Sequence, residues 1–149
     1  VVRGRHVMRG YWNDPAGTAQ RYRPGPVAGE RRCYTGDLFR MDQDGFFYFV
    51  SRSDEIIKCR GEKVAPKAVE NVLHRLPGVI LAAVVGVPDA LLGQAVKAVL
   101  VADRTQVTEE LVMAHCRTYL EDVMVPRYVE FRDELPLTGS GKVIRRSLV

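Results

Sequence analysis

The sequence predicts an α+β fold: a small mixed sheet with helices on its face, preceded by a β-hairpin and loops. Two stretches, 66–76 and 108–120, carry apolar residues at helical spacing. Two nearly unbroken apolar runs, 79–87 and 95–102, suit buried strands. From residue 54 onward the order is strand, helix, strand, strand, helix, strand, which suits a compact sheet with its helices on one side.

Residues 1 to 33 are rich in Gly, Pro and Arg, with turn signals at Asn13-Asp14-Pro15 and Pro24-Gly25-Pro26. They are expected to be a strand followed by loops. Leu38 to Met41 and Phe46 to Val50 flank the turn Asp42-Gln43-Asp44-Gly45, the pattern of a hairpin. A short strand is expected at Glu55 to Cys59, ending at Gly61. Pro66 opens the first helix, where its missing N–H costs nothing, and Pro77-Gly78 stops it. The runs Val79–Val87 and Ala95–Ala102, joined by a loop from Pro88 to Gln94, form an antiparallel pair. Thr108 is the N-cap of the next helix, with Glu109 and Glu110 in its first turn. That helix is expected to bury Leu111, Val112, Cys116 and Tyr119. Tyr128 to Arg132 is a last strand, 137–143 a flexible loop, and Ile144 to Leu148 the start of a helix.

Composition excludes several classes. The 149 residues, 46% hydrophobic, suffice for one ordinary domain, or a small one with an appendage. No apolar run approaches the roughly 20 residues that cross a bilayer. The net charge of +4 is spread along the chain with no run of five basic residues, so no nucleic-acid partner is expected, and the balance is equally consistent with binding anionic nucleotides. Three cysteines and three histidines lie scattered, with no CxxC pair, so neither a zinc site nor a disulfide framework is indicated. A cytoplasmic setting follows from this cysteine usage and from the absence of a signal-peptide pattern.

Three segments carry residues suited to chemistry. In Tyr34-Thr35-Gly36-Asp37, a carboxylate after a glycine turn can accept hydrogen bonds from two neighbouring hydroxyls, as in a ribose diol; the alternative is a solvated turn aspartate. Around Gly61, the cations Arg52, Lys58, Arg60 and Lys63 suit phosphate oxygens through charge-assisted bonds, or else form the charged outer face of a strand. In Pro136-Leu137-Thr138-Gly139-Ser140-Gly141-Lys142, glycines flank one lysine, presenting a single positive charge from a mobile loop. This is no Walker loop, because Val143 follows the lysine.

Taken together and in this order, GYWNDP (Gly10 to Pro15), YTGDL (Tyr34 to Leu38), SRSDEIIKCRGEKVAPKAVE (Ser51 to Glu70) and PLTGSGKVIRR (Pro136 to Arg146) resemble the adenylate-forming superfamily. That superfamily comprises acyl-CoA synthetases, aryl-CoA ligases, firefly-type luciferases and peptide-synthetase adenylation domains. The resemblance covers essentially the whole chain. It implies that residues 1–53 are the tail of a large N-terminal AMP-binding domain and 54–149 a C-terminal lid, the chain being a fragment without the upstream phosphate loop. It implies that Asp37 binds the ribose hydroxyls of ATP and that Arg52 contacts ribose and phosphates. It further implies that Asp54 takes the hinge position and that Lys142 reaches the active site during adenylation. By the same resemblance Gly61 lies on the segment that faces the pantetheine channel once the lid has rotated, and Lys58 matches a lysine that serves the second half-reaction in some members.

The implied activity is ATP-dependent, AMP-forming ligation of a carboxylic acid to the thiol of CoA, with Mg2+ accompanying ATP and no metal held by the chain. The tract from Glu55 to Pro66 looks more like acyl-CoA ligases than the alternative, a domain loading a carrier-protein thiol. A second alternative is a non-catalytic interaction module using the lid fold, against which the presence of Asp37, Arg52 and Lys142 argues.

Overall fold

A computed structural model describes residues 1–149. They divide into two compact units, Val1–Leu38 and Phe39–Val149.

The first unit contains strand β1 (Val2–Arg3), helix α1 (Pro15–Arg21), β2 (Tyr22–Pro24) and β3 (Arg31–Cys33). The strands form an antiparallel sheet in the order β1-β3-β2, with Val2 and Tyr22 both opposite Cys33. The expectation of loops after the first strand is therefore corrected. The Asp14-Pro15 pair opens a helix here: Asp14 Oδ1 accepts the Gly17 N–H at 2.8 Å and Pro15 occupies the first helical position. An N-cap aspartate before proline is a helix start as well as a turn signal. Strands β2 and β3 carry the sequences YRP and RRC, which have no apolar alternation to announce them.

Strands β4 (Asp37–Met41) and β5 (Phe47–Arg52) pair as the expected hairpin. Asp42 Oδ1 closes its turn by accepting the N–H groups of Asp44 at 3.0 Å and Phe46 at 2.9 Å. The main sheet contains β6 (Ile57–Cys59), β7 (Glu62–Val64), β8 (Val79–Asp89), β9 (Gly93–Ala102) and β10 (Tyr128–Phe131). Strand β9 is central. It pairs antiparallel with β8 along its length, parallel with β10 over 97–100, and touches β6 at Gly93. The sheet is thus mixed, as expected, and β7 is an addition that three residues of EKV did not signal.

Helices α2 (Pro66–Leu73) and α3 (Glu109–Tyr119) cover one face. Their partners are the alternate residues Ala82 and Val84 of β8 and Val96, Ala98 and Leu100 of β9, which join Val69, Leu73, Val112 and Cys116 in the main core. The intervening Ala83, Val85 and Val99 face the other way and are covered by Leu135, Val143 and Leu148 of the C-terminal segment. Period-two alternation on strands buried on both faces produces the continuous apolar runs seen in the sequence. Thr108 caps α3, its side chain accepting the Leu111 N–H at 3.3 Å. Two expectations for α3 fail: Leu111 and Tyr119 are exposed, and only Val112 and Cys116 are buried. Those two are four apart, so the buried stripe is narrow and the other apolar residues flank it. The segment after Phe131 forms a bridge between Leu137 and Val143 and ends in a short 3-10 turn, Arg145–Ser147, instead of an α-helix.

Candidate functional site

The residues singled out above fall on four local structures. Asp37 lies in the first unit, half-buried, and follows Gly36 at φ 81°. Its N–H donates to Thr35 Oγ1 at 3.2 Å, and the Thr35 carbonyl accepts from Arg21 Nη1 at 2.9 Å. The turn holding the carboxylate is therefore fixed by both backbone and side-chain bonds.

Arg52 ends β5, and its guanidinium meets the Asp54 carboxylate in two bonds, Nε to Oδ1 at 3.0 Å and Nη2 to Oδ2 at 3.2 Å. A bidentate pair spanning two residues fixes the chain direction at the turn where β5 ends. Asp54 is nevertheless largely exposed, so the pair is open to water and to competing charges.

Lys58 and Gly61 share the β6–β7 hairpin. The loop has two residues, Arg60 and Gly61, between the facing pair Cys59 and Glu62. Both have positive φ, 54° and 82°, as a type I′ turn requires. Glycine supplies this freely; arginine in that region is uncommon. Arg60 is held there by its N–H to the Leu92 carbonyl at 3.0 Å and its guanidinium to Asp122 at 2.9 Å. The Lys58 side chain points to solvent from β6, while its N–H donates to Gln94 Oε1 at 2.8 Å. Beside the hairpin a surface pocket of about 270 Å³ is lined by Cys59, Arg60, Leu92, Arg117, Asp122 and Arg127, among others. Two of its arginines are already paired, Arg60 with Asp122 and Arg127 with Asp89.

Lys142 lies at the end of an exposed loop that the sequence marked as flexible but that is internally bonded. The Thr138 N–H donates to the Lys142 carbonyl at 2.7 Å, the Gly141 N–H to the Thr138 carbonyl at 2.9 Å, and the Lys142 N–H to Thr138 Oγ1 at 3.1 Å. The loop closes on itself and leaves the ammonium in water.

Sequence reasoning gave no role to Arg145, Glu55 and Glu70. Glu70 sits in the buried stripe of α2 and accepts both the Val84 N–H at 3.1 Å and Arg145 Nη2 at 2.8 Å. Arg145 Nη1 donates to Glu55 at 3.2 Å. Burial disfavours the charge of Arg145, but the Glu70 and Glu55 carboxylates more than offset this and hold its pKa above the ordinary value. The available signal was the charged Glu70 on the helical face of Pro66, Val69 and Leu73, since a carboxylate in a buried stripe requires a partner.

Structure and sequence both have counterparts. Residues 68–142 match the family model of the AMP-binding enzyme C-terminal domain. A long-chain-fatty-acid–CoA ligase of Yersinia pestis is 42% identical over 99% of this chain and 25% of its own length. A feruloyl-CoA synthase of an Amycolatopsis species is 42% identical over 97% of this chain and 28% of its own length. Among solved structures, o-succinylbenzoate CoA synthetase of Bacillus subtilis, in complex with its acyl-adenylate intermediate, superimposes with a TM-score of 0.84 at 30% identity, covering 95% of this chain and 28% of that one. The chain spans about a quarter of the length of the curated relatives it matches.

Proposed function

Since the chain belongs to the AMP-binding enzyme C-terminal domain family, we propose that it is the C-terminal part of an ATP-dependent, AMP-forming acyl-CoA synthetase. The whole enzyme activates a carboxylic acid as acyl-adenylate and passes it to CoA. The observation that carries this reading is Lys142, a solvent-facing lysine on a loop closed by its own hydrogen bonds. CoA as acceptor is supported by the relatives' names, a fatty-acid–CoA ligase and a feruloyl-CoA synthase. Those two acids differ widely, and the acid taken by this protein is set by a pocket outside this chain.

In the first half-reaction the substrate carboxylate attacks the α-phosphorus of ATP. The bond to the bridging oxygen breaks and pyrophosphate leaves. Two anions must approach, and Lys142 places a cation between them; one preorganised donor of this kind is worth about 10²–10³ in rate. Asp37 accepts the ribose hydroxyls, and Arg52 contacts ribose and phosphate. In the second half-reaction the CoA thiol attacks the acyl carbonyl, AMP leaves as the phosphate–acyl bond breaks, and the thiol proton passes to solvent or base. Rotation of the lid, residues 54–149, about Asp54 turns the surface of Gly61 and Lys58 toward the acyl group in place of Lys142. The open Arg52–Asp54 pair suits such a pivot, because an exposed ion pair is cheap to break. Mg2+ fits no residue set here, as no three His, Cys, Asp or Glu stand together in the chain; it belongs with the nucleotide. No helix is long and apolar enough to cross a membrane, and three free thiols suit the reducing cytoplasm.

The exposed aromatic strip of β4–β5, with Phe39, Phe46, Phe47 and Phe49, supports a further part of this reading, that residues 1–53 complete a large N-terminal domain. The chain alone should then show no ATP–pyrophosphate exchange. In the full-length protein, Lys142→Ala should slow exchange by about 10² or more, while supplied acyl-adenylate still forms thioester near the normal rate. Equal loss in both half-reactions would remove Lys142 from adenylation.

A further inference from the structure

The loop that carries Lys142 has no anchor of its own. Residues 138–142 are all exposed, and their hydrogen bonds run within the loop, setting its shape but not its direction. Direction comes from the stem. Leu135 before the loop and Val143 and Leu148 after it pack on the back of the sheet. These contacts are apolar and non-directional. Nearest the loop, three residues beyond Lys142, Arg145 makes directional contacts with other elements: Nη2 to Glu70 on α2 at 2.8 Å and Nη1 to Glu55 at 3.2 Å; the next, Lys97 Nζ to the Leu148 carbonyl at 3.1 Å, lies six residues beyond the lysine. Glu55 immediately follows Asp54.

We propose that Arg145 is a positioning residue for Lys142, fixing the loop's direction through a three-residue joint with Glu55 and Glu70. This rests on the reading of Lys142 and Asp54 given above. The joint ties the adenylation lysine to the residue after the pivot, so a turn of the lid is transmitted to the loop as a rigid body. Two features set Arg145 apart from a simple core ion pair. Glu70 is buried, and its Oε1 also accepts the Val84 N–H, so the joint is referenced to α2 and to β8. The Arg145 Nε is buried with no partner, a cost retained for the sake of two carboxylates on different elements. Only a planar guanidinium reaches both with separate nitrogens; a lysine ammonium offers one point charge.

The test combines two variants and two readouts. Arg145→Lys keeps the charge and loses the fork. Glu55→Gln keeps the Arg145–Glu70 bond, and with it the fold, and weakens only the side of the joint next to the pivot. In the full-length enzyme, Arg145→Lys should lower ATP–pyrophosphate exchange at least ten-fold, and Glu55→Gln several-fold. Both should leave thioester formation from supplied acyl-adenylate within two-fold and should leave the KM for ATP unchanged. In the 149-residue chain, amide hydrogen exchange at Ile144 and Leu148, whose N–H groups bond the Pro136 and Arg145 carbonyls in the stem, should accelerate at least ten-fold in Arg145→Lys, with Val99 in β9 changing less than two-fold. Parallel loss of both half-reactions, or equal acceleration at Ile144 and Val99, would overturn the proposal, because Arg145 would then serve stability alone. A full-length wild type that exchanges pyrophosphate with no carboxylic acid would instead sink the adenylation reading. The amide measurement on the chain would still decide whether Arg145 orders the loop.

Discussion

Residues 1–50 and residues 51–149 both form strands and helices, yet they are stabilised differently. No residue before Ser51 is buried, whereas the strands β8 and β9 and the helices α2 and α3 enclose a core of fully buried side chains such as Val84, Leu100 and Val112. The first stretch is held by backbone ladders, local caps and edge contacts, such as the Tyr11–Tyr22 rings 5.6 Å apart. It also exposes large apolar groups: Trp12 is 92% accessible, and Phe46 and Phe47 exceed 60%. Cooperative stability needs apolar burial to offset backbone ordering, which costs about 1–2 kcal/mol per residue, and within this chain only the second stretch supplies it.

The largest effect that would sharpen this contrast is in the core. Leu100 of β9 is fully buried in the core that α2 and α3 cover, so Leu100→Ala should lower unfolding stability by about 2–5 kcal/mol. Urea unfolding followed by circular dichroism measures it, while the emission of the exposed Trp12 should stay nearly constant through the same transition. A Trp12 signal that shifts cooperatively with the core would erase the distinction between the regions.

A matched pair of caps gives a smaller effect. Thr108 and Asp14 each accept an N–H at the start of a helix, from Leu111 and Gly17. Thr108→Ala should cost about 1 kcal/mol, because α3 is part of the cooperative core. Asp14→Ala should leave the unfolding midpoint unchanged, since α1 has no buried residue and can fray by itself. Equal shifts would mean that the two regions unfold as one.

Thiol chemistry gives the mildest perturbation. Cys33 is half-exposed, whereas Cys59 and Cys116 are buried. An alkylating reagent at neutral pH should modify Cys33 first, and the other two only on unfolding. Burial also pushes the Cys116 thiol from 9.0 up to about 11. Its neutral form is favoured in the folded chain, so this contribution to stability is complete below about pH 9 and is lost as pH rises toward about 11. Replacing Cys116 with serine should flatten that alkaline decline, and an unaltered decline would assign it to other groups.

Much of the second region was legible in the sequence. The apolar runs of β8 and β9, the Pro66 start of α2 and the Thr108 cap of α3 are local signals, and the structure keeps each of them. The hairpin turn at Asp42 was visible for the same reason, as were the positions of Asp37, Arg52, Asp54, Lys58, Gly61 and Lys142 within motifs. Local signals failed where an element exists only because of a distant partner. Strands β2, β3 and β7 are three residues each and are defined by their ladders. Leu111 and Tyr119 stayed exposed because the narrow stripe of α3 is set by what it packs against, not by the number of apolar residues it carries.

The sequence by itself determined the two long core strands and where the main helices begin, and it singled out the candidate site residues, because periodicity, capping and residue type act over a few neighbours. Only the tertiary structure decided that β10 runs parallel to β9, that the C-terminal segment covers the back of the sheet, and that Arg145 joins Glu55 to Glu70 across 90 and 75 residues of chain. Pairings at such separations are selected by burial and by the need of each buried charge for a partner, and neither is written in the order of adjacent residues.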